Sequence, residues 1–225
     1  MTDDSTPLYA PPSSLSGPQT ICLSMIVKNE NGPHLLRCLD SVRPFITSWA
    51  IVDTGSTDGT QSQIRRYMAD IPGQLIEREW VYDFAHSRNQ ALQLARESGA
   101  RLAMNIDADD YVEVAAWHPR RLRRLRPLTA DACLFTCIEG DTVSTRFTFA
   151  RLAAPIYWTG RVHEELVRAD GLPLTRVVDS WYITRMTRDG AASRDPAAKI
   201  AHYIRCMTGG TQQGPASDSG DGRQP

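Results

Sequence analysis

The sequence predicts an α/β fold built on a mainly parallel central sheet. Short apolar segments with high β-propensity alternate with segments of helical spacing through the first half of the chain. Strands that alternate with helices form parallel sheets, because each helix returns the chain to the start of the next strand. The predicted strands are 20–27, 49–53, 74–79 and 101–106, and helices are predicted after the first strand, at about 61–69, and at 84–98.

The second half of the chain has a different pattern, which predicts a smaller antiparallel portion. Strands are predicted at 133–138 and 143–152, with weaker strand patterns at 162–168 and 174–183 and a closing helix at 197–207. Apolar residues in 143–152 alternate with polar ones, so we expect one drier and one wetter face there. The residues of the drier face are Val143, Thr145, Phe147 and Phe149, and Ser144, Arg146 and Thr148 lie between them.

The length and composition indicate one folded domain between two polar ends. A chain of 225 residues is long enough for a single substantial core. We expect residues 1–18 to form a disordered leader and residues 19–208 to form the domain. Residues 209–225 are rich in Gly, Ser, Gln and Asp and bury too little apolar surface to order themselves, so they are expected to form a disordered tail.

The charge and the cysteine content exclude several classes of protein. The formal net charge is -1, so no overall field favours nucleic acid or an anionic membrane. The five cysteines are odd in number and contain no CxxC pair, which argues against a disulfide framework or a cysteine zinc site. The sequence has neither an apolar run of membrane-spanning length nor a signal-peptide pattern. We therefore expect a cytoplasmic protein without an integral membrane segment and without a nucleic-acid partner.

Polar clusters follow three of the predicted parallel strands. They are 28–30 (Lys-Asn-Glu), 53–56 (Asp-Thr-Gly-Ser) and 107–110 (Asp-Ala-Asp-Asp). Ligands bind at the carboxyl edge of open α/β sheets, so these loops are expected to share one cleft. The alternative for Asp53 and Ser56 is that they cap a turn or a helix.

Asp107 and Asp109 form the strongest candidate for a metal site. Two neighbouring carboxylates repel each other unless a cation compensates them. Oxygen ligands suit Mg²⁺ or Mn²⁺, which commonly bind one or two carboxylates together with substrate phosphates. The alternative is a solvated acidic turn, which an isolated Asp-x-Asp usually forms.

Five stretches resemble the family 2 glycosyltransferases, in the branch that contains lipopolysaccharide-core glucosyltransferases and SunS-type peptide S-glycosyltransferases. They occur in the expected order and together cover roughly residues 20–185: LSMIVKNE (23–30), IVDTGSTDGT (51–60), DFAHSRNQALQLA (83–95), NIDADD (105–110) and WTGRVHEEL (158–166). The resemblance implies a single GT-A (Rossmann-like) domain. It also implies a nucleotide-sugar donor, most often a UDP-sugar, a Mn²⁺ or Mg²⁺ cofactor, and a glycan, lipid-linked sugar or peptide as the acceptor.

The resemblance also assigns roles to individual residues of the donor site. Asp53 would hold the edge of the base, Arg88 would lie near the base or the diphosphate, and Asp109 would bind the metal. Asp107 would face the ribose or the metal, next to Ala108. The residues that would line the nucleoside pocket are Val27, Lys28 and Glu30.

The later motif, Trp158 to Glu164, resembles the acceptor-facing part of the family's site. An inverting displacement needs a base that takes the proton of the acceptor, and Glu164 is the candidate. His163 is a second candidate, with a packed, hydrogen-bonded histidine as the alternative. On a strand, His163 and Glu164 would point to opposite faces unless the strand bends.

Two features depart from the family pattern or remain outside it. Relatives often carry a histidine just after the last strand, whereas residues 182–186 read Tyr-Ile-Thr-Arg-Met, which puts one metal ligand or phosphate contact in doubt. The basic run Arg120–Arg126 is typical of a solvated amphipathic helix, or of a surface that binds a phosphorylated or lipid-linked acceptor or a membrane. Neither feature predicts the oligomeric state.

Two other functions share the predicted sheet. One is a degenerate module that binds a nucleotide-sugar without turnover, and the missing histidine favours it. The other is a nucleotidyltransferase, which needs a Gly-rich basic loop after the first strand. Residues 28–31 (Lys-Asn-Glu-Asn) do not form such a loop.

Overall fold

A computed structural model gives the structure of the protein and describes residues 20–114, 130–187, 190 and 196–208. Three predicted features lie outside these residues. They are the leader 1–18, the tail 209–225 and the basic run Arg120–Arg126.

Ten strands and four helices lie within the described residues. The strands are β1 (Ile21–Val27), β2 (Ser48–Asp53), β3 (Gly73–Glu77), β4 (Leu102–Asn105), β5 (Tyr111–Val114), β6 (Ala132–Glu139), β7 (Thr142–Arg151), β8 (Ile156–Thr159), β9 (Glu165–Arg168) and β10 (Arg176–Arg185). The helices are α1 (Pro33–Val42), α2 (Thr60–Tyr67), α3 (Phe84–Glu97) and α4 (Pro196–Thr208).

Eight strands form one sheet in the order β3-β2-β1-β4-β7-β6-β10-β5. Strands β3, β2, β1 and β4 are parallel to one another, and β7 pairs antiparallel with both β4 and β6. Strand β10 runs parallel to β6 and antiparallel to β5, while β8 and β9 form a separate hairpin. The predicted α/β class, with its mainly parallel half and smaller antiparallel half, is therefore confirmed.

The helices of the first half begin where the sequence supplies starting signals. Pro33 occupies the first turn of α1, where its missing N–H costs no hydrogen bond. The Asp83 side chain accepts a hydrogen bond from the backbone N–H of His86 at 2.9 Å and so caps α3. Asp83 thereby fixes the start of the helix that carries the predicted site residue Arg88.

The two faces of the parallel half-sheet are covered by different elements. In β1, Leu23 and Met25 join an apolar cluster with α1 and α2, whereas Cys22 joins a second cluster with α3 and the β8–β9 hairpin. Successive side chains of a strand point to opposite faces, so a strand covered on both sides is apolar throughout. Burial of both faces explains why β1 is apolar apart from the small residue Ser24.

The structure corrects the prediction of alternating faces along β7. Thr148 and Phe149 are both buried, and Val143 is 68% exposed. The pairing register of β6 and β7 shifts between Cys133 and Leu134, so Thr148 is an extra residue in a bulge. The bulge breaks the period of two, and the first half of β7 extends beyond the core.

The strand predicted at 162–168 is also shorter than expected. Strand β9 begins at Glu165, and residues 160–164 form the turn between β8 and β9. The short strands β5 and β8 were not predicted, because four residues are too few to display a period. The shortened β9 changes the expected placement of His163 and Glu164, as described below.

Asp131 is a buried charge that joins three parts of the second half. Its carboxylate accepts hydrogen bonds from Arg151 at 2.8 Å and from Arg168 at 2.9 Å. The backbone N–H and the hydroxyl of Thr175 donate to its other oxygen at 3.0 and 2.8 Å. Burial raises the pKa of Asp131, but these hydrogen bonds outweigh burial and hold that pKa well below its usual range.

We predict that Asp131→Asn lowers the free energy of unfolding by about 2–3 kcal/mol at pH 7. A depressed carboxyl pKa contributes stability that is present above the unfolded pKa of about 3.9 and is lost as pH falls toward the folded pKa. The difference between wild type and variant should therefore shrink below about pH 4. Urea titrations at pH 7 and pH 3 measure it.

Asp170→Asn is the matched control, because Asp170 also pairs with Arg168 but is an exposed carboxylate. It should destabilise the protein much less than Asp131→Asn. Equal losses in the two variants, or an Asp131→Asn loss that does not change with pH, would contradict the assigned role.

Candidate active site

Three loops meet at the carboxyl edge of the parallel half-sheet. Val27, at the end of β1, is in register with Asp53, at the end of β2. On the other side of β1, Ser24 is in register with Asn105, so the chain leaves β4 at the same edge. The prediction that the strand ends at Val27, Asp53 and Asp107 share one edge is therefore confirmed.

The loops after β1 and β2 are joined by hydrogen bonds from backbone to side chain. The backbone N–H of Asn29 donates to the Ser56 hydroxyl at 2.8 Å, and the N–H of Thr57 donates to the Asn29 side-chain oxygen at 2.8 Å. The N–H of Glu30 donates to the Thr60 hydroxyl at 2.8 Å. These bonds fix the two loops to each other, and Ser56 therefore has a structural role.

One carboxylate oxygen of Asp53 caps the turn that follows it, and the other has no hydrogen-bond partner among the described residues. Its Oδ1 accepts hydrogen bonds from the backbone N–H groups of Gly55 at 2.9 Å and Ser56 at 2.7 Å. Its Oδ2 is buried and has no hydrogen-bond partner in the described part of the chain. An unpaired buried carboxylate oxygen is costly, so its presence indicates that a ligand can supply the donor.

The other predicted nucleoside-pocket residues lie along the same wall. Val27 is buried at the end of β1, and Lys28 beyond it is exposed. The Glu30 carboxylate lies 2.9 Å from Nε2 of the buried His34 in α1. Glu30 is thereby held by the first helix.

Arg88 joins the two ends of the predicted site. Its Nε donates to Glu164 Oε1 at 2.8 Å and one terminal nitrogen donates to Asp107 Oδ1 at 2.8 Å. Its other terminal nitrogen donates to the Asn105 side chain at 3.1 Å. The guanidinium thus satisfies two carboxylates and an amide at once, in the fork geometry that is specific to arginine.

Asp107 lies between two guanidinium groups. Oδ1 accepts from Arg88, and Oδ2 accepts from Arg146 of β7 at 3.0 Å. Burial raises the pKa of Asp107, but the positive charges of Arg88 and Arg146 outweigh burial and leave that pKa below its usual value. Asp107 is therefore ionised at neutral pH.

The two following aspartates have the opposite electrostatic tendency. Burial, followed by the charge of Asp107, raises the pKa of Asp109. Burial and the charges of Asp107 and Asp109 raise the pKa of Asp110 to about 8. Burial is the largest cause of both shifts, and a cation bound beside these carboxylates would lower both pKa values.

The loop after β10 contacts the backbone and side chain of Asp109. The Thr187 hydroxyl donates to the Asp109 backbone carbonyl at 2.5 Å. A Cβ on Gly190 would lie 2.6 Å from Asp109 Oδ2, so only glycine permits this approach. The segment after β10, where relatives often carry a histidine, thus contacts the acidic loop through Thr187 and Gly190.

The donor set of this loop fits a divalent cation that also binds a ligand phosphate. No group of three or more His, Cys, Asp or Glu side chains within the described ranges is arranged to hold a metal alone. Mg²⁺ and Mn²⁺ commonly need one or two carboxylates and complete their shell with phosphate and water. Asp109 and the Oδ2 side of Asp107 would hold such an ion, with Arg146 now on that side of Asp107.

The later motif lies in a turn instead of the predicted strand. His163 has a positive φ of 58° and is exposed, whereas the Glu164 side chain is 14% exposed and lies against Arg88. Asn89 holds the hairpin on α3 by accepting from the Trp158 N–H and donating to its carbonyl, both at 2.8 Å. The prediction that His163 and Glu164 lie on a strand is wrong, because residues 160–164 form a turn and β9 begins at Glu165.

Helix α4 lies beside the cleft, which the sequence did not predict. His202 stacks on Trp80, with ring centroids 5.2 Å apart, and also lies near Tyr82 and Phe84. Tyr203 of α4 is 6.5 Å from the ring of His163.

None of the helices in the described ranges has the length and apolar character needed to span a membrane.

The structure therefore brings most of the predicted site residues to one edge and adds others. Glu164, Arg88 and Asp107 form a connected network, while His163 lies outside it. Ala108 is buried in the acidic turn, which the hydrogen bond from the Asp110 N–H to the Asp107 carbonyl closes. Three residues that were not assigned to the site join it: Asn105, Asp110 and Arg146.

A parallel half-sheet with acidic groups at its carboxyl edge is typical of α/β proteins that bind a ligand there. Residues 22–189 match the glycosyl transferase family 2 profile, so the chain belongs to that family. It is a family 2 glycosyltransferase with the GT-A fold.

Relatives and solved structures agree with this assignment. The chain is 30% identical over 188 residues to a TPR repeat-containing protein of Synechococcus elongatus and 29% identical over 167 residues to the glycosyltransferase SunS of Bacillus subtilis. These matches cover 81% and 71% of this chain but 42% and 38% of the relatives, so the chain spans about two fifths of their length.

The similar solved structures support the fold. Staphylococcus aureus TarS 1–349, in complex with UDP, superposes with a TM-score of 0.53 at 13% identity. This match covers 84% of this chain and 71% of the TarS chain.

Proposed function

We propose that this protein transfers a sugar from a nucleotide-sugar, in the first instance a UDP-sugar, to an acceptor with the help of Mn²⁺ or Mg²⁺. One observation carries the proposal. The unpaired oxygen of Asp53 and the acidic loop at Asp107–Asp109 lie at the same sheet edge, one strand apart on either side of β1. A nucleoside diphosphate has a ring N–H at one end and a diphosphate that binds metal at the other.

The base end of the donor is assigned to Asp53. Its Oδ1 caps the turn, its Oδ2 has no hydrogen-bond partner in the described part of the chain, and a uracil N–H can donate to that oxygen. Val27, Lys28 and Glu30 line the same pocket in this proposal. TarS, which shares the fold, is titled as a complex with UDP in one structure and with UDP-GlcNAc in another.

The diphosphate end is assigned to the acidic loop. Asp109 and Asp107 would hold the divalent ion, which when bound stabilises the negative charge of the leaving diphosphate. The raised pKa values of Asp109 and Asp110 support this assignment, since they arise from burial and then from neighbouring carboxylates, and a bound cation would offset both effects. Asp107 also keeps one oxygen on Arg88, which fixes its orientation.

The acceptor end is assigned to Glu164. Among the described residues, the Glu164 carboxylate accepts a hydrogen bond from Arg88 through Oε1 alone. Its second oxygen is therefore available to an acceptor hydroxyl or thiol. Proton transfer to Glu164 as the acceptor attacks the sugar carbon would give an inverting displacement. His163 is exposed, and its proposed part is limited to the acceptor entrance.

A binding module without turnover is the second candidate. The observation that favours it is the close pairing of Glu164 with Arg88, because a carboxylate in such an ion pair can serve to position the arginine instead of accepting a proton. Glycan, lipid-linked sugar and peptide acceptors all remain compatible with an exposed entrance at His163. The two experiments below separate donor binding from turnover.

The first prediction concerns the metal. UDP should bind at least about tenfold more tightly with Mn²⁺ than with EDTA, because the ion offsets repulsion between the diphosphate and Asp109. Asp109→Asn should remove most of this difference while leaving UDP binding in EDTA nearly unchanged. Isothermal titration calorimetry of both proteins with and without Mn²⁺ measures it.

Asp58→Asn is a suitable control, because Asp58 is an exposed carboxylate of the adjacent loop that accepts from Asn31 and Thr60. It should keep the dependence on Mn²⁺. Identical UDP affinity in EDTA and Mn²⁺ for the wild-type protein would remove the metal from the proposed mechanism.

The second prediction concerns the base. Glu164→Gln keeps an oxygen that can accept from Arg88 but removes the proton acceptor, and a positioned base typically contributes about 10²–10⁴ in rate. Transfer should fall by at least about 10²-fold, while UDP affinity and the melting temperature stay near wild type. Transfer, calorimetry and thermal unfolding are measured on one preparation.

Near-normal transfer by Glu164→Gln would exclude Glu164 as the base. Parallel loss of rate, UDP affinity and stability would instead assign Glu164 to bracing Arg88. Wild-type protein that binds UDP with Mn²⁺ but neither transfers nor hydrolyses any donor would favour the binding module.

A further inference from the structure

Arg146 occupies an unusual place for an arginine on a strand. It lies on the part of β7 that extends beyond the core, and its side chain is 44% exposed. Its Nη1 donates to Asp107 Oδ2 at 3.0 Å and lies 3.7 Å from Asp110 Oδ2. These carboxylates are the hydrogen-bond and ion-pair partners of the Arg146 side chain within the described residues.

The two guanidinium groups on Asp107 are not equivalent. The Arg88 side chain is 12% exposed and has three side-chain partners, two of them carboxylates. The Arg146 side chain is 44% exposed, and its hydrogen bond and ion pairs within the described residues are with the acidic loop. Arg146 therefore has fewer polar partners to lose than Arg88 if it leaves Asp107.

We propose that Arg146 is a placeholder cation, which neutralises Asp107 until a divalent metal arrives and which the metal must displace. This rests on the metal-assisted function proposed above. A divalent ion at Asp107 Oδ2 would stand within a few ångströms of the guanidinium, and two cations at that distance repel. Oδ2 of Asp107 can therefore bind either Arg146 or the metal ion, but not both at once.

The exchange makes metal binding depend on the nucleotide. Metal alone must displace Arg146 and gains only carboxylate ligands. Metal that arrives with a diphosphate gains phosphate ligands, and the displaced guanidinium gains a phosphate partner that it can contact through two N–H groups. Arg146 thus couples the two binding events, and this coupling is reciprocal.

Arg146→Gln tests the proposal by changing two affinities in opposite directions. Without nucleotide, Mn²⁺ should bind the variant about tenfold more tightly than the wild type, because no guanidinium competes for Asp107. With saturating Mn²⁺, UDP should bind the variant about tenfold more weakly, because the phosphate partner is gone. Calorimetry and the electron paramagnetic resonance signal of free Mn²⁺ measure both affinities on the full chain.

Arg151→Gln is the matched control. Arg151 lies on the same strand and forms a carboxylate pair at 2.8 Å, but its partner is Asp131. It removes the same charge from β7 and should leave both affinities unchanged. A purely structural role for Arg146 would weaken both affinities together.

The outcomes distinguish this inference from the proposed function. Equal Mn²⁺ affinity in the wild type and Arg146→Gln, or a similar gain in Arg151→Gln, would overturn the placeholder role while leaving the metal in place. Absence of Mn²⁺ binding by the wild type even with UDP would overturn the inference and the metal-assisted function together.

Discussion

The interaction on which the site depends is the three-way contact of Arg88. One buried guanidinium holds Glu164 from the β8–β9 turn, Asn105 from the end of β4 and Asp107 from the acidic loop. Without the arginine, Glu164 would lose its cationic partner among the described residues, and Asp107 would be left with Arg146 alone. Breaking a buried ion pair by removing one partner is strongly destabilising, so Arg88 fixes both the shape and the charge of the cleft.

Within the described part of the chain, some carboxylates of the cleft have cationic partners and others do not. Asp107 and Glu164 are paired with Arg88, and burial together with the charges of Asp107 and Asp109 raises the pKa of Asp110. Asp109 has no arginine partner among the described residues, and Asp53 keeps one buried oxygen unpaired. The free protein therefore retains an acceptor at one end and a deficit of positive charge at the other, which a metal-bound nucleotide would fill.

The sequence was sufficient for the parallel half-sheet and for the placement of its polar loops at one edge, because buried strands are mostly apolar segments and polar loops follow them. It was insufficient where contacts join distant segments. The sequence indicated only that Arg146 lies on the wetter face of a strand. Its contact with Asp107 depends on the pairing of β7 with β4, which the sequence did not show. Glu164 was matched by motif, but its partner Arg88 is 76 residues away. The place of α4 beside Trp80 likewise depends on tertiary packing.

The central claim is that the forked geometry of Arg88, and not its charge alone, assembles the site. Arg88→Lys tests it most directly, because lysine keeps the charge but cannot donate along three fixed directions. The account predicts that UDP affinity measured with Mn²⁺ falls at least about tenfold and that the free energy of unfolding falls by about 2–3 kcal/mol. A lysine variant with wild-type affinity and stability would contradict it.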